Sequence, residues 1–311
     1  MKQRILAALG ACALGACSTT SLPPATTQPH DATAHIDCGS CAEWNQPQEP
    51  FNVAGNTWYV GPQGLAALLV TSPQGHILLD GALPQSAPQI VANIEKLGFR
   101  IEDVKLIVNS HAHWDHAGGI AALQQRSGAQ VAASAHSARV LRDGKIGPDD
   151  PQYNPVDQQG SPKVAQVREV QDGETLAVGP LRITAHLTPG HTPGSTTWTW
   201  VSCETGGPCL NMVYADSLTA ISEDNAFRFT GARAEQFRQS IAKVAALPCD
   251  VIVSTHPSFT DTFDKLKART GAKPTSNNTF ITPGGCRAYA RDAQKGLDER
   301  LAKEQSGTVG R

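Results

Sequence analysis

No sign of charge dominates this chain: 26 lysines and arginines stand against 28 aspartates and glutamates over 311 residues. That balance excludes partners chosen by bulk electrostatics, nucleic acid and acidic membrane surfaces among them. The apolar run near the amino end, residues 5–16, is a dozen residues long and too short to span a bilayer. Beyond residue 36 no second linker interrupts the alternation of elements. The remaining length would by itself suit two domains, but the pattern reads as one domain over 37–311. Cys38 and Cys41 form a CxxC with neither the βαβ pattern of a redox pair nor a second CxxC to complete a zinc site. A local disulfide is the remaining reading.

What is present begins with an export signal over 1–17, where Lys2 and Arg4 precede the apolar run. Leu14-Gly15-Ala16-Cys17, followed by Ser18, resembles a bacterial lipoprotein cleavage box in which Cys17 would carry the lipid; ordinary cleavage nearby is the alternative. The expected location is periplasmic, with an outer-membrane lipid anchor at Cys17 as the one membrane contact. Residues 18–36, rich in Thr, Pro, Ala and Ser, read as a flexible tether. Six cysteines remain after the leader, and an even number in an exported chain favours disulfides. Cys203 and Cys209 flank a Gly-Gly-Pro turn and close a small loop. Cys249 and Cys286 would staple the last helix to the strand that starts at Asp250.

Strands are expected at 58–60, 66–71 and 76–79, opening the domain as a meander. Ser86 then caps a helix whose Ile90, Val91, Ile94 and Leu97 share a face and which Gly98 stops. A strand over 104–108, a helix from 119 to 127, a strand over 131–133 and a short helix over 137–141 follow. Residues 143–163 carry four prolines and three glycines, a long connection suited to the wall of a substrate cleft. The second half repeats the grammar: strands at 165–170, 175–178, 181–187, 196–201 and 211–214, a helix over 233–246, a strand over 250–254 and a helix over 287–303. Strands followed by a helix, twice over, describe two sheets face to face with helices outside.

The chemistry is concentrated in Asn109-Ser110-His111-Ala112-His113-Trp114-Asp115-His116-Ala117-Gly118-Gly119, which follows the apolar strand 104–108. Imidazole and carboxylate suit zinc. So short a stretch cannot wrap four ligands tetrahedrally around one ion, so Asp115 and His116 should face a different ion from His111 and His113. Three more residues sit at strand ends: His191 in Thr188-Pro189-Gly190-His191-Thr192-Pro193-Gly194, Asp216 in Tyr214-Ala215-Asp216-Ser217, and His256 in Ser254-Thr255-His256-Pro257. Loops at one end of successive strands converge, so together they build a site. The other histidines sort by context. His30, His35 and His76 read as solvated, His136 as a cap or surface residue, and His186 as a core residue or one standing behind a ligand.

His-x-His-x-Asp-His with the later His191, Asp216-Ser217 and His256 resembles the metallo-β-lactamase fold superfamily, and within it subclass B3. Trp44-Asn45-Gln46-Pro47, Pro189-Gly190-His191-Thr192-Pro193-Gly194-Ser195, Ala215-Asp216-Ser217-Leu218, and Leu247-Pro248-Cys249-Asp250 with Cys286 carry the likeness over almost the whole chain after the tether. The resemblance implies an α/β fold, an αββα sandwich of two mixed β-sheets, holding two Zn2+ ions. His111, His113 and His191 would bind the first ion, and Asp115, His116 and His256 the second. Ser217 stands near the place where other subclasses have a cysteine ligand. The Cys249–Cys286 pair matches a disulfide common in the subclass.

The implied activity is hydrolysis of the β-lactam ring of penicillins, cephalosporins and carbapenems, giving antibiotic resistance. A metal-held hydroxide would be the nucleophile and Asp115 would orient it. Ser217 and Thr219 would receive the substrate carboxylate, with Gln152 and Trp44 lining the cleft. Two dications, one carboxylate and one hydroxide leave about +2, which suits an anionic β-lactam. The rival within the fold is a lactonase, thioesterase or phosphodiesterase in which Asp216 bridges the metals. A non-catalytic secreted zinc module fits less well, because a structural zinc needs a closed four-ligand site. A small β-lactam is the expected partner of a monomeric chain.

Overall fold

The computed structural model describes residues 34–156, 160–203, 206–223, 227–271 and 278–307. The leader, its Cys17, His30 and most of the tether lie outside the described residues. Strands β1 (Phe51–Ala54), β2 (Thr57–Tyr59), β3 (Leu68–Val70), β4 (His76–Leu79), β5 (Val104–Val108), β6 (Gln130–Ser134) and β7 (Val167–Val170) form one sheet in chain order. Its first four strands pair antiparallel, and β4 to β7 run parallel. The second sheet holds β8 (Thr175–Val178), β9 (Leu181–Leu187), β10 (Thr196–Cys203), β11 (Cys209–Ala215) and β12 (Val251–Ser254), ordered β12-β11-β10-β9-β8. Only β12 is parallel to its neighbour there. The helices are α1 (Cys41–Trp44), α2 (Ala87–Lys96), α3 (Trp114–Ala117), α4 (Ile120–Ser127), α5 (Ala135–Asp143), α6 (Ala232–Ala246), α7 (Thr262–Gly271) and α8 (Gly285–Gln305).

Side-chain alternation explains the layering. In β5, Leu106 and Val108 join the core between the sheets while Ile107 packs outward among residues of α2 and α4. A strand buried on both faces reads as a continuous apolar run, as this one does. In β11 and β12, Met212, Tyr214, Val251 and Val253 face the other sheet, whereas Val213, Ala215 and Ile252 pack with α6 and α8. The order is therefore helices, sheet, sheet, helices: the expected αββα sandwich.

Several local expectations change. Ile36, placed at the end of the tether, is buried; its backbone N–H donates to Gln85 Oε1 at 3.2 Å and its carbonyl accepts from Gln85 Nε2 at 2.7 Å. Ser86 stands at the start of α2 without capping it, because its hydroxyl donates to Asn45 Oδ1 at 2.5 Å instead. His76 is buried, not solvated, with its ring edge-on to Phe99 at 5.0 Å and Nδ1 accepting from Ser72 N–H at 3.4 Å. His186 is half-buried on β9 and bonded to Thr199 Oγ1 at 2.8 Å, so it belongs neither to the core nor behind a ligand. His35 is exposed beside Asp37, and His136 pairs with Asp149 at 3.0 Å as a surface residue. The sulfurs of Cys38 and Cys41, Cys203 and Cys209, and Cys249 and Cys286 lie 2.10, 2.00 and 2.11 Å apart.

Two packing details yield predictions. Phe237 on α6 is fully buried, and a Cβ at Gly190 would lie 2.2 Å from its ring, so this ring props the turn that carries His191. Phe237→Ala is expected to cost about 3–5 kcal/mol, read as a lower urea midpoint at unchanged slope. Burial also lowers the pKa of His76. The unfolded chain then takes up the proton first, so the stability held by the neutral ring is complete above the unfolded value of about 6.5 and is lost as pH falls below it. His76→Leu should therefore lose less stability than the wild type between about pH 7 and about pH 5; parallel pH curves would contradict this.

Candidate metal centre

The ligand stretch leaves β5 at Asn109 and is not all loop, since residues 114–117 close one helical turn with Ala117 N–H donating to the His113 carbonyl at 2.8 Å. That turn separates His111 and His113, which precede it, from Asp115 and His116, which lie on it. His111 lies close to both sets of donors, whereas His113 joins only one and Asp115 and His116 only the other. The stretch is pressed against the end of β4: a Cβ at Gly119 would lie 2.2 Å from the Gly81 carbonyl oxygen. No larger residue fits there.

The expected ligands converge in two groups. Donor atoms of His111, His113 and His191 lie within 4.8 Å of one another, as do those of His111, Asp115 and His116. His256 joins the second group, its Nε2 lying 3.4 Å from Asp115 Oδ2, while His116 Nε2 is 3.1 Å from the same oxygen. The His116 and His256 rings meet edge to face at 4.8 Å. All six side chains come from strand ends or the turns after them, as the sequence pattern implies.

Most ring nitrogens on the far side of the cluster are tied to oxygen. His111 Nδ1 donates to Asp216 Oδ1 at 2.6 Å, and His113 Nε2 donates to Asp150 Oδ1 at 3.0 Å. His191 Nδ1 finds the carbonyl and hydroxyl of Thr219 at 3.0 and 2.9 Å, and His256 Nδ1 finds the Gly64 carbonyl at 3.2 Å. A nitrogen that donates outward leaves the other with its lone pair directed inward, the arrangement that metal-ligating histidines use. Inward, His111 Nε2 is buried with no hydrogen-bond partner, and His116 Nε2 has only Asp115 Oδ2 beside it, at 3.1 Å and without an aligned hydrogen bond. Such orphaned groups cost about 1–3 kcal/mol each, and a cation among them would satisfy both. The Gln152 amide reaches His113 Nδ1 and His191 Nε2 at 3.4 and 3.3 Å, offering hydrogens to lone pairs a metal would take. The donor set fits a borderline metal ion such as zinc.

Electrostatics agree. Burial works to raise Asp115, but His116 and His256 outweigh it and hold the carboxyl well below its ordinary value. Burial and the neighbouring His111 and His113 push His191 down to about 3, keeping it neutral and able to ligate. At His113 burial is overridden by Asp150, which raises the pKa; a field that favours a proton there favours a cation. Burial raises the Asp216 carboxyl, whose Oδ1 sits behind the His111 ring.

A cleft of about 420 Å³ opens over the cluster. Trp44, Gln152, Ser217 and Thr219, expected to touch substrate, all line it. The Trp44 ring packs 6.2 Å from Trp114 and 5.2 Å from the His256 ring. Ser217 Oγ is 2.8 Å from Thr255 Oγ1. Part of the 143–163 connection does form the wall, through Ile146, Gln152 and Asn154. Two buried carboxylates, Asp80 and Asp150, were not foreseen. Asp80 follows the apolar strand 76–79 directly, the same signal that marked Asp216; Asp150 lies inside an irregular connection where no periodicity singles it out.

Two face-to-face mixed sheets with an imidazole-carboxylate cluster at their strand ends define a metal-dependent hydrolase fold. The chain belongs to the metallo-β-lactamase superfamily: the family model described as Metallo-beta-lactamase superfamily matches residues 60–202. Its structure is similar to that of the Rm3 metallo-β-lactamase, with 50% sequence identity and a TM-score of 0.82 over 87% of this chain and 100% of that one. It is similar also to MEM-A1, a subclass B3 metallo-β-lactamase isolated from a soil metagenome library, at 47% identity and a TM-score of 0.80 over 85% and 99% of the two chains. Among curated sequences, a probable metallo-hydrolase of Burkholderia pseudomallei (strain 1710b) is 31% identical over 52% of this chain and 54% of its own length, so the match spans about half of that relative.

His116 belongs to the second donor group and not to the first. We predict that purified His116→Ala holds one equivalent of zinc fewer than the wild type by elemental analysis. An unchanged zinc content would contradict this ligand assignment.

Proposed function

We propose that this protein hydrolyses the β-lactam ring of penicillins, cephalosporins and carbapenems and so confers antibiotic resistance. Two zinc ions would be held by His111, His113 and His191, and by Asp115, His116 and His256. The observation that carries the choice among hydrolases of the fold is Asp216. Its Oδ1 accepts from His111 Nδ1 at 2.6 Å, on the far side of that ring from Nε2, where it orients the ligand. That position argues against the bridged-carboxylate reading of a lactonase or phosphodiesterase. The similarity to B3 enzymes over nearly the full length of those structures supports the same choice.

Zinc at these donors would make water acidic enough to attack near neutral pH and would polarise the lactam carbonyl. The chain supplies the rest. Asp115, an anion at neutral pH, accepts a hydrogen from the attacking water and turns its lone pair toward the carbonyl carbon. Attack joins oxygen to that carbon, the ring C–N bond breaks, and the nitrogen takes up a proton, giving a carboxylate and an amine. His191 Nδ1 donates to Thr219, which leaves the Thr219 hydroxyl hydrogen free for a substrate carboxylate. Ser217 is equally free when Thr255 donates to it. Trp44 and Phe259 offer aromatic surface at the rim for the apolar part of the substrate. Two dications against one carboxylate leave the cleft floor positive, which favours an anionic β-lactam.

Among the described residues no helix is long and apolar enough to cross a membrane. We infer from the leader alone that the chain is exported to the periplasm, and from Cys17 the option of a lipid anchor. Purified protein should consume a carbapenem, read as loss of its ultraviolet absorbance, and lose that activity with a chelator. Turnover of an acyl lactone but of no β-lactam would sink the proposal.

A further inference from the structure

Asp150 does not come from a strand end. It lies in the Pro- and Gly-rich connection after α5, yet it is 2% exposed. Its Oδ1 accepts twice, from His113 Nε2 at 3.0 Å and from the Gln152 backbone N–H at 2.9 Å. The backbone around it is fixed as well: Asp150 N–H donates to the Gly147 carbonyl at 2.9 Å, and its own carbonyl accepts from Tyr153 N–H at 3.1 Å. The next carbonyl, that of Pro151, accepts from Glu223 N–H at 3.1 Å across the cleft mouth.

One oxygen thus governs two features. It decides which nitrogen of His113 faces the cluster, because a ring turned over would bury an unsatisfied N–H and withdraw its Nδ1 lone pair. It also holds the backbone that carries Gln152, whose amide lies within 3.4 Å of both His113 and His191. We propose that Asp150 is a positioning residue that couples the cleft wall to the first metal site. Loss of its side chain disturbs the orientation of His113 and the reach of Gln152 together. The inference rests on the metal-centre reading above, but not on the identity of the substrate.

The test compares Asp150→Ala and Asp150→Asn with the wild type on two readouts: affinity for the first zinc equivalent, by competition with a chromophoric chelator, and KM for a carbapenem. Asp150→Ala should weaken zinc binding by about 10–100-fold and raise KM in parallel. Asp150→Asn keeps an oxygen acceptor within reach of both donors and should restore both quantities to within about threefold of the wild type. If the alanine variant does not fold, Asp150→Ser takes its place, since a hydroxyl is too short to reach both donors. Wild-type zinc affinity in the alanine or serine variant overturns the proposal. So does a change in affinity without a change in KM, or an asparagine variant as impaired as alanine. A wild-type chain that binds no metal would overturn this inference and the metal centre with it, whereas zinc binding without carbapenem turnover would leave the affinity comparison intact and replace KM by that of whichever substrate is turned over.

Discussion

The ligand turn depends on one buried carboxylate. Asp80, fully buried at the end of β4, accepts from Ser110 N–H at 2.8 Å, the Ser110 hydroxyl at 2.5 Å, Asn109 Nδ2 at 3.0 Å and the Tyr214 hydroxyl at 2.8 Å. Tyr214 belongs to the opposite sheet, so this carboxylate joins the two layers at the point where the ligands begin. Burial raises its pKa to about 6, against the pull of His116 and the hydrogen bonds from Ser110 and Tyr214. Asn109 then relays the restraint, donating to the His111 carbonyl at 2.7 Å while its own carbonyl accepts from Trp198 Nε1 at 3.0 Å. Four donors on one group of oxygens fix the backbone before any metal is considered. A loop held only at its ends could not keep three imidazoles within one small volume.

Much of this was legible in the sequence, and the reason is periodicity. Strands buried on both faces, such as 104–108, read as apolar runs, and the residues that follow them share one edge of the fold. That single regularity points to His111, His191, Asp216 and His256 at once. Short elements carry too few residues for a period. The edge strand β1 passes as loop, although Phe51 stacks on Tyr59 at 4.9 Å, and the turn α3 hides among its own ligands. Burial of His76 depends on Phe99, which lies beyond a helix in the chain and meets it only in the folded sheet.

The pairings behind the ligands were less legible for a related reason. Asp80 meets Tyr214 across 134 residues and His111 meets Asp216 across 105. No local pattern encodes such distances, and a strand-end carboxylate does not announce in sequence which distant group it will meet. What distinguishes it is the loss of water on folding, which only the packed sandwich imposes.

Those outer partners also bear on why the cluster needs a cation. Asp216, Asp150, Thr219 and Gly64 each hold one imidazole by its outward nitrogen, from three different parts of the chain. The lone pairs left inside cannot turn toward water, because turning any ring breaks a buried hydrogen bond. His116 differs: its Nδ1 is buried with no partner, and its Nε2 faces only Asp115 Oδ2 at 3.1 Å. Metal binding therefore requires little reorganisation, and the free energy it releases adds to the stability of the folded chain.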